Sequence, residues 1–456
     1  MVRVVLAAIP MPGHLIPLLP IGRHLVENGY DVTVLTSEAL EPLAGDIVNS
    51  PRGRLHPLRG KAAFDGNRIL AEFPVVKDTP AGYRQVIVAP QEMFIPPIPE
   101  QFRAVQEVLE AGDPATTVVI HEGFFHGTWP LLLGAPGLRP AGTIGLGVSV
   151  LTLEDPRLPP FGFGAAPDLS APGERRARDL RDRLHREFEP VQKQLDDVLA
   201  GLGAVDRAPY YWDSFSLLCD TFFQLSPPGL EYERGSLPEH VELIGRPGSP
   251  ATAHFDAPPW WNDVVTADRV VFVTQGTLNN ENHGALIGPA LEALADSDAL
   301  VVATFGGRPV PPDLVVPANA RVISYLPYDM IFPHTSVLVT NGGFGGVQAA
   351  LMAGIPLVVA GDTEDKPEVA MRVEHAGAGI NLRTGLPGVP AVRQAVERVL
   401  RDPSFRSRAE GIRDEYRARD PLARIKDEVD RMASSPRAGR RQAGHGISGV
   451  LGLPGR

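Results

Sequence analysis

The sequence predicts an α/β protein of two halves, each built on a parallel sheet. Three observations predict it. The chain has 456 residues, more than one ordinary core accommodates. Short apolar runs alternate with stretches of helical spacing. That alternation begins twice, on either side of a segment rich in Pro and small residues at 246–264.

The elements follow in order. Residues 2–9 (VRVVLAAI) read as a buried strand, 10–14 (PMPGH) as a loop, and 15–28 as a helix stopped by Gly29. Val32–Leu35 is the next strand, which completes a βαβ unit. Between 40 and 115 the pattern loosens into Pro-rich loops and short helices. Thr117–Ile120 and Gly142–Val150 read as strands, 154–172 as a Pro/Gly loop and 173–202 as one or two charged, exposed helices. The second half supplies strands at Val270–Thr274, Leu300–Phe305, Arg321–Ser324, Val337–Thr340 and Pro356–Val359. Helices are expected near 283–295, 347–353, 389–401 and 403–433. The domains are thus 1–245, a linker at 246–264, 265–402, and helices over 403–433. Residues 436–456 lack periodicity and read as a disordered tail.

Composition excludes several classes. A formal net charge of −11 without a basic stripe argues against nucleic acid as a partner. Cys219 is the single cysteine, so neither an intrachain disulfide nor a cysteine zinc site is available. No apolar run reaches the roughly 18–20 residues that span a bilayer, and no leader pattern precedes the first strand. A soluble, cytoplasmic protein is expected.

The strongest local signal is Thr340-Asn341-Gly342-Gly343-Phe344-Gly345-Gly346-Val347, between a strand and a helix. Glycines there let backbone N–H groups approach an anion at a helix N-terminus. No Gly-Lys-Ser/Thr follows, so it is not a P-loop, and the spacing does not make a nicotinamide fingerprint. The second signal is Gly13-His14 in the first strand-to-helix loop, where open parallel sheets bind ligands. His121-Glu122 emerges at the same edge, so a carboxylate there can hold an imidazole by one nitrogen and leave the other as a base. Asp296-Ser297-Asp298 has a metal-binding look, but it precedes a strand and so lies at the opposite edge, as a solvated turn. Met93–Pro97 and Pro159–Phe163 offer apolar walls.

The Gly-His loop, the two α/β halves and the late TNGGFGGV…GIPLVVAGDTEDKPEVA segment resemble the inverting glycosyltransferases of the UDP-glucuronosyl and macrolide type (family 1), in the bacterial branch that decorates natural products. The resemblance covers 1–36, 112–150 and 265–400. It implies the GT-B fold, two Rossmann-like domains facing across a cleft, with the helices over 403–433 crossing back to the first domain. It implies His14 as the base that deprotonates an acceptor and Glu122 as the carboxylate that orients it. It assigns Gly276, Thr277, Asn341, Gly342, Gly343, Gly345, Gly346 and Val347 to the donor diphosphate. Tyr325 and Leu326 then meet the donor base, and Asp365 and Lys366 the sugar. Pro12, Gly13, Phe94 and Phe161 fall to the acceptor.

Four positions depart from the family pattern. Asn341 stands for a frequent His, Val347 for Ser or Thr, Ala349 for a Glu, and Lys366 for Gln. The implied reaction moves a hexose or deoxyhexose from a thymidine- or uridine-diphosphate sugar to a hydroxyl or ring nitrogen of a lipophilic small molecule. It needs no metal and no cofactor beyond that co-substrate. A catalytically degenerate relative that binds a ligand or assists a partner enzyme is the second reading, and the departures motivate it.

Overall fold

The computed structural model describes residues 2–248, 252, 255–276, 280 and 282–434. The expected tail at 436–456 and the donor candidate Thr277 lie outside the described residues. The first half contributes β1 (Arg3–Ala7), β2 (Asp31–Thr36), β3 (Gly53–Pro57), β4 (Thr117–Glu122), β5 (Gly142–Gly147), β6 (Thr221–Gln224) and β7 (Val241–Leu243). The second half contributes β8 (Val270–Thr274), β9 (Leu300–Thr304), β10 (Ala320–Ile323), β11 (Thr335–Thr340), β12 (Leu357–Val359) and β13 (Gly379–Asn381).

Both sheets are parallel throughout, in the orders β3-β2-β1-β4-β5-β6-β7 and β10-β9-β8-β11-β12-β13. Apolar cores cover both faces of each sheet, which explains why β1, β4, β8 and β11 are near-continuous apolar runs.

Several elements differ from the sequence expectation. The helix expected over 15–28 starts at Pro12 and comes in three pieces, Pro12–Leu15, Ile16–Leu18 and Leu19–Glu27. Each piece opens on a proline at its first or second position, where the missing N–H costs nothing. The helix expected at 347–353 begins at Phe344, because glycine is tolerated in a first turn. The stretch 403–433 is two helices, Pro403–Arg417 and Pro421–Ser434, parted before Pro421. The charged stretch 173–202 is one helix, Ala171–Gly201, that runs through Pro190.

Candidate active site

In an open parallel sheet the ligand crevice opens where the strand order reverses, beyond the strands' carboxyl ends. In the first sheet that point lies between β1 and β4, and in the second between β8 and β11. His14 follows β1, and Glu122 is the last residue of β4, whose His121 pairs with Ala7 in register. Gly276 follows β8, and Asn341 follows β11. The topology therefore brings the two strongest sequence signals to the two switch points.

Glu122 is fully buried. Its carboxylate accepts the N–H of Ile9 at 3.2 Å, the N–H of Phe124 at 2.9 Å, and Nδ1 of His14 at 2.9 Å. Two backbone donors mark the group as an ionised acceptor, so the hydrogen shared with His14 sits on Nδ1. Nε2 then carries the lone pair and can take a proton. The imidazole packs edge-on to Phe124 at 4.9 Å, and its side chain keeps 16% exposure. Pro12 lies half-buried and Gly13 exposed in the same helical turn, and a Cβ added at Gly13 would meet nothing within 4 Å.

The second half presents the glycine turn. Gly343 caps the helix Phe344–Met352. Its carbonyl takes the N–H groups of both Gly346 and Val347, and the Val347 side chain is fully buried in the core. The donors left at the helix end are those of Gly343, Phe344 and Gly345, two residues earlier than the expected set of Gly345, Gly346 and Val347. Gly342 has φ +87° and hydrogen-bonds Oγ1 of Thr340. Asn341 donates its amide to the carbonyl of Gln275, which ties the end of β11 to the end of β8 beside Gly276. Tyr325 is exposed and Leu326 buried. Arg246 of the linker donates to the Gly345 carbonyl at 2.9 Å, and burial pulls its pKa down.

Asp365 and Lys366 diverge. The Asp365 carboxylate accepts the hydroxyl of Ser149, from the opposite half, at 2.6 Å. Burial pushes its pKa up, while Ser149, Lys366 and His14 act to lower it. Lys366 is buried and bonds Glu364 and Thr363, not Asp365. Glu364, at φ +59°, has its N–H held by Gln85 of the first half at 3.1 Å.

The apolar walls are aromatic. Phe94 packs on Phe124 at 4.7 Å, Phe161 on Trp212 at 4.7 Å, and Phe215 on Phe124 at 4.9 Å. Phe124 thus links Phe94 to the His14 ring. Sequence reasoning missed Phe124, although it stands two residues past Glu122. It also missed Trp212, Phe215, Ser149, Gln85 and Arg246, which lie in segments with no chemical motif to single them out.

Asp296 and Asp298 are exposed on the turn before β9, at the amino end of that strand. Among the described residues, no group of three or more His, Cys, Asp or Glu is arranged to hold a metal ion. Among them, too, no helix is long and apolar enough to cross a membrane.

Comparison with known proteins gives the family and the fold. The erythromycin biosynthesis protein CIII-like C-terminal domain matches residues 289–432. UDP-glucosyltransferase A1 of Starmerella bombicola is 36% identical over 434 residues, which cover 93% of this chain and 91% of that protein. The 4'-demethylrebeccamycin synthase of Lentzea aerocolonigenes is 34% identical, over 94% of this chain and 99% of its own. Among solved structures, the glycotransferase of kitacinnamycin superposes with a TM-score of 0.71 at 21% identity, over 94% of this chain and 99% of that one.

Proposed function

Since the chain belongs to the family 1 glycosyltransferases of GT-B fold, we propose that it transfers a sugar, with inversion and without a metal, from a nucleoside-diphosphate sugar to a lipophilic natural-product acceptor. The observation that carries this reading is the pair His14–Glu122, 2.9 Å apart on a fully buried carboxylate. Glu122 fixes the ring and stabilises the imidazolium once Nε2 has taken the acceptor's proton. The deprotonated oxygen or nitrogen attacks the anomeric carbon from the face opposite the diphosphate. One displacement inverts the centre, and the acceptor proton resides on His14. The leaving diphosphate is met by the N–H groups of Gly343, Phe344 and Gly345 and by the guanidinium of Arg246. Asp365 accepts sugar hydroxyls beside Ser149. The aromatic wall receives the acceptor's apolar body.

The donor is a uridine- or thymidine-diphosphate sugar, and the reaction runs in the cytoplasm. Retention of the His14–Glu122 pair favours this over a degenerate binding protein. Incubation with UDP-glucose or TDP-glucose and a panel of hydroxylated acceptors, quercetin among them, tests it by mass spectrometry. We expect one hexose added, with the anomeric configuration inverted by NMR and full activity in excess EDTA. Loss in EDTA with recovery on manganese would overturn the metal-free mechanism. No product from any pairing would overturn the transferase reading.

A further inference from the structure

The turn that reads the sugar also grips the acceptor half. Within residues 364–368, Glu364 bonds Gln85, Asp365 bonds Ser149, and Glu368 bonds the loop carrying Phe161. The last contact is the most elaborate. Oε1 of Glu368 accepts the N–H of Gly162 at 2.9 Å and that of Gly164 at 2.8 Å. Its other oxygen pairs with Arg372 at 3.1 Å, one turn along the same helix. Arg372 in turn pairs with Glu231 of the first half at 2.8 Å and donates to the Leu151 carbonyl. All three charged side chains are at most 5% exposed.

The two glycines have φ of +107° and +54°, and a Cβ at Gly164 would stand 2.6 Å from Pro367. The loop therefore needs glycine both to turn and to dock. Between them Phe163 stacks on Tyr83, and before them Phe161 packs on Trp212. The Phe161 wall is thus held from the donor half.

Resting on the transferase reading, we propose that Glu368 is a positioning residue for the acceptor site. It fixes the Phe161 wall from the helix that begins at the sugar-reading Asp365, so donor loop and acceptor wall form one unit. A buried carboxylate that binds two backbone N–H groups and a guanidinium has the geometry to set a loop, and it does not itself face the reacting atoms.

Two variants probe the dock from opposite sides. Glu368→Ala removes the acceptor oxygen and leaves Arg372 paired with Glu231. Gly164→Val blocks the loop against Pro367 and leaves the ion cluster intact. In hydrogen exchange without ligand, both variants should speed exchange at the Gly162 amide by about tenfold or more, and Glu368→Ala should do the same at Gly164. With quercetin, or the panel member that yields product, the acceptor KM should rise about tenfold while kcat stays within about threefold. Titration with UDP alone should stay within about twofold of wild type, which also shows that the donor half is folded. Unchanged exchange overturns the proposal, and so does fast exchange with an unchanged acceptor KM. The exchange arm needs no turnover. A wild-type chain that transfers no sugar would therefore overturn the functional reading, while exchange would still decide the dock.

Discussion

At the scale of single residues, the candidate site depends on what each buried polar group is denied. Glu122 is surrounded by three donors, so a carboxylate satisfies all of them and an amide cannot. Glu122→Gln turns an N–H₂ group toward a donor, and one buried N–H loses its acceptor. The expected cost is about 1–3 kcal/mol of stability, with turnover reduced further because His14 loses its orienting charge. Thermal melts beside steady-state kinetics check this, and a variant with wild-type kcat would remove Glu122 from the mechanism. His126 shows the opposite logic. It is fully buried, stacked on Trp129 at 3.8 Å, and burial, aided by neighbouring His121, lowers its pKa to about 3. The unfolded chain binds a proton near pH 6.5 and the folded chain does not, so stability is complete above that pH and falls as pH drops toward 3. The slope is up to about 1.4 kcal/mol per pH unit for this group. His126→Gln should flatten the acid limb of urea midpoints measured between pH 7 and pH 5; an unchanged slope would mean that His126 is charged in the folded state. Legibility at this scale was uneven. His14 and Glu122 could be read because each stands at or just past the carboxyl end of an unmistakable apolar strand. Trp212 and Gln85 could not, because each sits on a short helix, Tyr211–Leu217 or Tyr83–Ala89, whose partner at the site lies far away in sequence.

At the scale of elements, the glycine turn shows how packing sets chemistry. The strands of both sheet centres were legible because burial on two faces demands continuous apolar runs. β3 was not, since its RLHP core reads as a polar edge, and β13 has only three residues. The start of the helix Phe344–Met352 was misjudged because glycine is a poor helix former everywhere except near an end. The turn is closed from below by Gly361, which follows β12. A Cβ there would lie 2.0 Å from the Asn341 carbonyl, a backbone atom that cannot swing aside. Gly361→Ala should therefore push Asn341 away from Gln275 and unseat the whole cradle. UDP and UDP-glucose should weaken together, by about tenfold or more, because the damage falls on the shared diphosphate. Gly411→Ala, in a helix with nothing within 4 Å, is the control. It should gain about 0.5–1 kcal/mol and leave titrations unchanged. Calorimetric titration separates the two, and selective loss of the sugar nucleotide alone would place the defect at Asp365.

At the scale of the whole molecule, the chain does not finish where its second half finishes. The helix Pro421–Ser434 returns to the first half, where Ile425, Val429 and Met432 join the core under β1, β4 and β5. Met432 fills the space that a side chain at Gly142 would occupy: a Cβ there would overlap its sulfur. Polar contacts fasten the helix along its length, with Thr221 on Glu428 at 2.7 Å and Arg424 on Glu242 at 2.9 Å. A sheet formed by residues 3–243 thus has one face completed by a segment almost two hundred residues later. Spacing showed a helical stretch there but not its partner, since periodicity reports that a face is apolar and not what it covers; only the family resemblance implied the return to the first domain. Ile425 is fully buried in this strap. Ile425→Ala should cost about 2–5 kcal/mol through lost burial and the cavity left behind. The cost should fall on the first half alone, although the mutation lies downstream of the second. The tryptophans separate the outcomes: Trp129 and Trp212 report on the first half, Trp260 and Trp261 on the edge of the second. With Trp260 and Trp261 replaced by Phe, urea unfolding should move to lower midpoint in the Ile425→Ala background. With Trp129 and Trp212 replaced instead, it should stay nearer the parent value. An equal shift in both reporters would mean that the halves unfold as one unit, joined through Arg372 and its two carboxylates more firmly than the strap joins the first half to itself.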